Sequence, residues 1–306
     1  MKSDMNNGDV VYEIDKLKKK RKAIILVHNY QRPEIQDIAD FIGDSLELSR
    51  KASLTDAEVI VFCGVHFMAE TASILCPDKT VLLPEINAGC PMANMITAQQ
   101  LIQKKQEVPD AQVVCYINSS AEVKAESDIC CTSANAVSVV KSLDKRKIIF
   151  IPDQYLGRYV AAKLKRELIL WPGYCPTHVK ISPEDILDKK QEYPGSVAVV
   201  HPECRPEVTA VADEVLSTGG MVRFARETKF NDIIIGTERE IVYRLKKENP
   251  RKNFIHASKY AICPNMKKIR LEHVLWALEG MKPEVKVPDD IRIRAKAAVD
   301  KMLAIN

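Results

Sequence analysis

The chain has 306 residues, of which 46% are hydrophobic and 28% charged, and its formal net charge is +4. This composition excludes a disordered chain and leaves room for about two ordinary domains of ~150 residues. Its longest apolar runs, such as AIILV and DIIIG, are far shorter than the ~18 residues of a membrane span. The opening MKSDMNNGDV also lacks the apolar stretch of a signal peptide, so a cytoplasmic protein without a membrane partner is expected.

In chain order, the first element is helix-patterned, YEIDKLKKKRK, and ends in the basic run Lys16 to Lys22. No aromatic residues are interleaved with those charges, so the run reads as a solvated helix end and no nucleic-acid partner is expected. An apolar strand AIILVHNY follows, then the connection IADFIGDSLEL, a second strand EVIVFCGV, a third TVLLPE, and the loop GCPMAN. The next stretch restarts the series with TAQQLIQKKQEVPDA, where Thr97 is the expected N-cap, and continues through QVVCYINSS, ESDICCTSANAV, KIIFIPD, ELILW and GYCPTH. A third series runs from SPEDILDKKQEYPGS, capped by Ser182, through SVAVVHPEC, AVADEVLSTGGMV, DIIIGTE and NFIHA to ICPNMK. The chain is therefore one unit written three times, over residues 1–96, 97–181 and 182–282. Residues 283–306 fall outside the repeats and read as a helix packing back on the first unit.

Short apolar strands alternating with helical patterns indicate parallel sheets covered by helices. The expected fold is α/β, with three pseudo-symmetric three-layer α/β/α domains in a triangular arrangement. Each unit closes on a Cys-Pro pair, at Cys90, Cys175 and Cys263, and the intervals of 85 and 88 residues match the repeat period. Ligands of parallel α/β units gather at the carboxyl ends of strands. Facing a common axis, the three units bring these thiols to one cavity with the polar strand ends His28, Asn29, Tyr30, Tyr116, Asn118, Ser119, His201, Glu203 and Cys204. Three cysteines from three distant loops suit either a zinc ion or an iron–sulfur cluster with one iron lacking a protein ligand.

The other cysteines read as small core residues or, for Cys76, Cys130 and Cys131, as helix-edge and turn residues, with Cys204 alone bordering the cavity. His66, His256 and His273 have no partner at ligand spacing, whereas His178 lies three residues after Cys175 and joins the candidate set. Each connection carries a hydroxyl five residues after an Asp: Ser45 after Asp40, Ser133 after Asp128 and Thr218 after Asp213. These are expected as helix N-caps, with free backbone N–H groups beside them for anionic substrates.

The motifs HNYQRPEIQDIADFIGDS, GCPMAN, YINS, TSAN, CPTH, HPEC, STGGM and CPNMK, in that order, resemble the quinolinate synthase family over nearly the whole chain. The resemblance implies a [4Fe-4S] cluster on three cysteines, here Cys90, Cys175 and Cys263, with one open iron. It also implies condensation of iminoaspartate with dihydroxyacetone phosphate, giving quinolinate, phosphate and two waters. An oxidase or dehydrogenase producing iminoaspartate would be its functional partner. Some members carry CxxCxxC at the last motif; here Ala257 and Tyr260 occupy the first two positions, so thiol switching at that loop is not expected.

On this reading His28, His178, His201, Asn118, Ser45, Ser133 and Thr218 hold the anionic groups, while Tyr30, Tyr116, Glu203 and His201 are the catalytic candidates for moving protons. Glu203 is expected to have a raised pKa, from burial and like charge, and its counterparts in the other units are read as Tyr30 and Ser120. Two alternatives stand beside it. One is another hydro-lyase using an open-site [4Fe-4S] cluster on a polycarboxylate; the other is a non-catalytic anion-binding protein with a Cys-ligated zinc.

Overall fold

The computed structural model describes residues 6–144 and 147–305, so the first half of the opening stretch lies outside the described residues. The first unit runs α1 (Asn7–Lys20), β1 (Ala23–His28), α2 (Pro33–Asp37), β2 (Phe41–Gly43), α3 (Ser45–Leu54), β3 (Val59–Cys63), α4 (His66–Leu75) and β4 (Thr80–Leu82). The second repeats it as α5 (Ala98–Glu107), β5 (Gln112–Tyr116), α6 (Ala121–Ala125), β6 (Ile129–Cys131), α7 (Ala136–Lys141), β7 (Ile148–Ile151), α8 (Gln154–Leu164) and β8 (Ile169–Leu170). The third follows as α9 (Pro183–Glu192), β9 (Val197–Val200), α10 (Pro206–Val211), β10 (Glu214–Val215), α11 (Thr218–Glu227), β11 (Asp232–Gly236), α12 (Ile241–Glu248) and β12 (Asn253–His256). Two helices, α13 (Leu271–Gly280) and α14 (Asp289–Leu303), complete the chain.

Each unit is a four-stranded sheet in the order second, first, third, fourth strand, with every pairing parallel. Helices cover both faces, so the central strands VIVFC, IIFI and VAVV are buried at every residue, as unbroken apolar runs require. One apolar cluster extends through all three units, and a smaller one around Ile186, Val200 and Ile234 lies within the third.

The outermost strands β2, β6 and β10 occupy segments that the sequence suggested were connections. Cys130 and Cys131 accordingly lie inside β6, fully buried, rather than in a turn. The repeated Asp makes each edge pairing. The Asp40 carboxylate accepts the Ile25 N–H at 2.8 Å while the Asp40 N–H donates to the Ile25 carbonyl at 3.0 Å. Asp128 repeats this with Val113 at 2.7 and 3.1 Å, and Asp213 with Ala198 at 2.7 and 2.9 Å. These clasps make Ile25, Val113 and Ala198 equivalent. Three residues on, His28, Tyr116 and His201 correspond; five on, Tyr30, Asn118 and Glu203. The counterpart of Glu203 in the second unit is thus Asn118, not Ser120, which instead caps α6.

The C-terminal helix does not simply pack back on the first unit. Its small residues Ala295 and Ala298 allow close approach, and α14 lies chiefly along α6 and β6 of the second unit, with α4 of the first beside it. Arg294 reaches Glu126, Lys301 donates to the Asp128 carbonyl at 2.8 Å, and Asn135 donates to the Met302 carbonyl at 3.2 Å. It is α13 that packs on the first unit, against α1.

Candidate active site

The three units place equivalent residues around one cavity of about 170 Å³. Its wall carries three sets of three: His28, Tyr116 and His201; Tyr30, Asn118 and Glu203; Ser45, Ser133 and Thr218. Cys90, Cys175 and Cys263 line the same cavity, and so does His178.

The two strand-end histidines share one hydrogen-bond pattern. Nδ1 of His28 accepts the N–H of Tyr30 at 3.2 Å, and Nδ1 of His201 accepts the N–H of Glu203 at 3.3 Å. Each imidazole therefore carries its proton on Nε2, which for His201 sits 3.1 Å from the Ser133 hydroxyl. Burial lowers the pKa of both to about 3, against the attraction of Glu203, so they serve as neutral donors rather than cations.

The hydroxyls are not N-caps as the sequence suggested. Asp44 caps α3 and Ser217 caps α11, which leaves Ser45 and Thr218 in the first helical position; Ser133 lies just ahead of Asn135, the cap position of α7. Because Asp44 and Ser217 satisfy the ends of α3 and α11, the hydroxyls of Ser45 and Thr218 are released toward the cavity. The starts of α3 and α11 meet there: Ser217 donates to Asp44 at 3.3 Å, and a Cβ at Gly219 would come within 2.6 Å of the Asp44 carboxylate. Asn29 donates to Thr218 at 2.9 Å and accepts from Arg244 at 2.6 Å, fixing the first unit against the third. In the second unit the Asn118 side-chain oxygen is buried with no hydrogen-bond partner among the described residues, an acceptor in the cavity wall.

Glu203 is 3% exposed and is held by Tyr116, which donates to one carboxylate oxygen, and by His178, whose Nδ1 lies 2.7 Å from the other. Burial pushes its pKa up, but these imidazole and phenol contacts outweigh burial and hold the carboxyl below the usual carboxylate range. This reverses the expectation of a raised pKa: the flanking groups are donors, not anions. On its far side His178 contacts Thr237 at 2.7 Å, and Thr237 in turn hydrogen-bonds the Tyr30 hydroxyl. Both phenols are themselves raised well above their ordinary pKa, by burial first and Glu203 second.

Burial also pushes the Cys90 thiol up to about 12 and raises Cys175 and Cys263. Three thiols in one apolar wall resist ionising by themselves, and a bound metal centre inverts that preference. The donor set therefore fits a cationic group. Cys175, His178 and Glu203 also offer ligand atoms within 4.8 Å of one another, so a metal could be held there. Cys204 does not border the cavity; its buried thiol faces the Gly236 carbonyl at 3.5 Å. The sequence reading passed over Asp153, Thr237, Glu238 and Lys267. Asp153 and Glu238 had a legible signal, an acidic residue closing the second apolar strand in two of the three copies.

A family profile described as quinolinate synthetase A protein matches residues 12–304. The chain is 58% identical over 296 residues to a quinolinate synthase of Dehalococcoides mccartyi (strain CBDB1), covering 97% of this chain and 98% of that protein. It is 56% identical to one of Geotalea uraniireducens (strain Rf4) and 52% identical to one of Methanosarcina barkeri (strain Fusaro / DSM 804), each over 98% of this chain and 99% of the relative. Among solved structures, the E-1-hydroxy-2-methyl-but-2-enyl-4-diphosphate reductase from Plasmodium falciparum aligns with 90% of this chain and 94% of its own. That alignment has 14% identity and a TM-score of 0.31, too slight a likeness to argue from.

Proposed function

From the premise that this chain belongs to the quinolinate synthase family of NAD biosynthesis, we propose that its cavity joins iminoaspartate to dihydroxyacetone phosphate, releasing quinolinate, phosphate and two waters. Cys90, Cys175 and Cys263 would hold a [4Fe-4S] cluster whose fourth iron has no protein ligand. Such an iron supplies Lewis acidity toward a carbonyl or hydroxyl oxygen. The observation that carries this reading is the convergence of three Cys-Pro loops and nine equivalent polar positions on one cavity.

Both substrates are anions, with two carboxylates on one and a phosphate on the other. The neutral Nε2–H donors of His28 and His201 and the hydroxyls of Ser45, Ser133 and Thr218 suit those groups, and Asn118 adds an acceptor for an imine or amine N–H. Glu203 starts ionised, so it acts first as a base; Tyr116, donating to it, is placed to pass a proton between substrate and carboxylate. His178 contacts the same carboxylate, and the Tyr30 hydroxyl reaches His178 from its other side at 3.4 Å. An iminoaspartate-producing oxidase or dehydrogenase is the upstream reaction this substrate calls for.

The test is direct. Anaerobically reconstituted protein, given both substrates, should be brown, with broad absorption near ~400 nm, and form quinolinate and phosphate in equal amounts. A colourless zinc protein that forms no quinolinate overturns the proposal. Ser133→Ala should weaken binding of a phosphate analogue by about 1 kcal/mol or more, the scale of a hydrogen bond to a charged group, with iron content unchanged. Unchanged affinity in the alanine variants of Ser45, Ser133 and Thr218 alike would return these hydroxyls to a purely local role.

A further inference from the structure

Beyond the second central strand of each unit the chain turns into the helix beside the cavity. Pairing of Ile25 with Val61, Val113 with Ile149 and Ala198 with Ile234 sets the register, and four residues later stand Val65, Asp153 and Glu238. The first unit is apolar at this position; the other two bury a carboxylate completely, each with 0% exposure. Val65 demonstrates that the fold itself needs no charge there. A buried carboxylate is costly unless something pairs with it.

For Glu238 the pairing comes from its Cys-Pro loop, and for Asp153 from the start of α8, which it caps. Glu238 accepts the backbone N–H of Cys263 at 3.2 Å and the Lys267 ammonium at 2.9 Å on one oxygen, and the Glu240 N–H at 2.9 Å on the other. Lys267 also donates to the Tyr30 carbonyl, and its own carbonyl accepts from Arg32 at 2.8 Å, which ties the third loop to the first unit. Asp153 accepts the N–H groups of Tyr155 and Leu156, both at 2.8 Å, on one oxygen. Its other oxygen has no hydrogen-bond partner among the described residues. The strand-like pairing of Asp153 with Gly173 draws the Cys175 loop in, and a Cβ at Gly173 would strike the Pro152 carbonyl at 2.4 Å.

Building on the cluster reading above, we propose that Glu238 is a positioning residue that fixes the backbone of Cys263. Lys267 is the counter-charge that locks the Cys263 loop onto the first unit. Among the described residues Cys90 has no such carboxylate; its loop is held by backbone pairing, the His66 N–H donating to the Ala88 carbonyl at 2.8 Å. The Cys263 thiol is thus set in place by a buried acid lying behind its loop, and outer-shell partners of this kind typically govern metal affinity by about 10–100-fold.

The experiment compares parent, Glu238→Gln and the double variant Glu238→Val/Lys267→Met, each reconstituted anaerobically. It reads iron and sulfide per chain, the rate at which a chelator strips iron, the electron paramagnetic resonance spectrum of the reduced cluster, and urea unfolding of the apoprotein. Glu238→Gln should lose iron at least about tenfold faster than the parent and show an altered spectrum. The double variant removes the buried pair together and restores the apolar residue of the first unit, so its apoprotein should unfold at parental urea or higher, yet it should still lose iron about tenfold faster. Parental iron loss and spectrum in the double variant would overturn the proposal. So would iron loss that merely tracks apoprotein stability across the set. If Glu238→Gln does not fold, the double variant decides. A parent that takes up no iron refutes the cluster reading and this proposal together, whereas a loaded parent with unaffected variants refutes this proposal alone.

Discussion

Replacing any one of Cys90, Cys175 or Cys263 with Ser should leave a folded chain that retains little iron and forms no quinolinate. The three residues sit in loops, half-buried, outside the sheets, and their side chains contribute little to the core. A serine hydroxyl is smaller, harder and far less acidic than a thiol, and it replaces a soft anionic ligand with a neutral one. With three protein ligands for a four-iron group, loss of one leaves two, too few to hold it against water. Far-UV circular dichroism of each apoprotein should overlay the parent, and iron analysis after anaerobic reconstitution should separate them. Full four-iron content in two of the three variants would mean that the loops meet for another reason.

Glu203→Gln should keep the cluster and bind both substrates while turnover falls by about 100-fold or more, the usual scale for a lost acid–base group. The amide preserves shape and accepts the Tyr116 hydrogen bond, but it cannot take a proton. It also offers an N–H where His178 Nδ1 now faces an anion, 2.7 Å away. The loss should therefore appear in kcat rather than KM. Near-normal turnover at matched iron content would remove Glu203 from the chemistry and leave Tyr116 to act alone.

Much of this architecture was legible because it is written three times. A single Cys-Pro or a single hydroxyl after an Asp says little, yet recurrence at one period placed Cys90, Cys175, Cys263, Ser45, Ser133 and Thr218 around what proved to be one cavity. The strands β2, β6 and β10 were not legible, since two or three residues carry no periodicity; their signal was the Asp before them, read as a marker when it is a backbone clasp. The state of Glu203 was misjudged for a related reason. Its ionisation depends on His178 and Tyr116, which arrive from another unit and lie far away in sequence. Thr237 escaped notice because its partners, His178 and Tyr30, also belong to other units.

The packing of α13 against α1 bears on the order in which the protein can be made. Arg21, at the end of α1, donates to the Leu278 carbonyl across a separation of 257 residues. The outer edge of the first sheet is completed equally late: the Leu83 N–H donates to the Pro283 carbonyl at 3.1 Å and the Val285 N–H to the Val81 carbonyl at 2.8 Å. During synthesis at ~5–20 residues per second, domains ordinarily fold as units from the N-terminus. Here the second and third sheets have all their strands before the first unit has its covering helix. The segment made first waits on the ribosome with an apolar helix face and a sheet edge bare, and it is this segment, rather than the last one translated, that a chaperone would have reason to shelter.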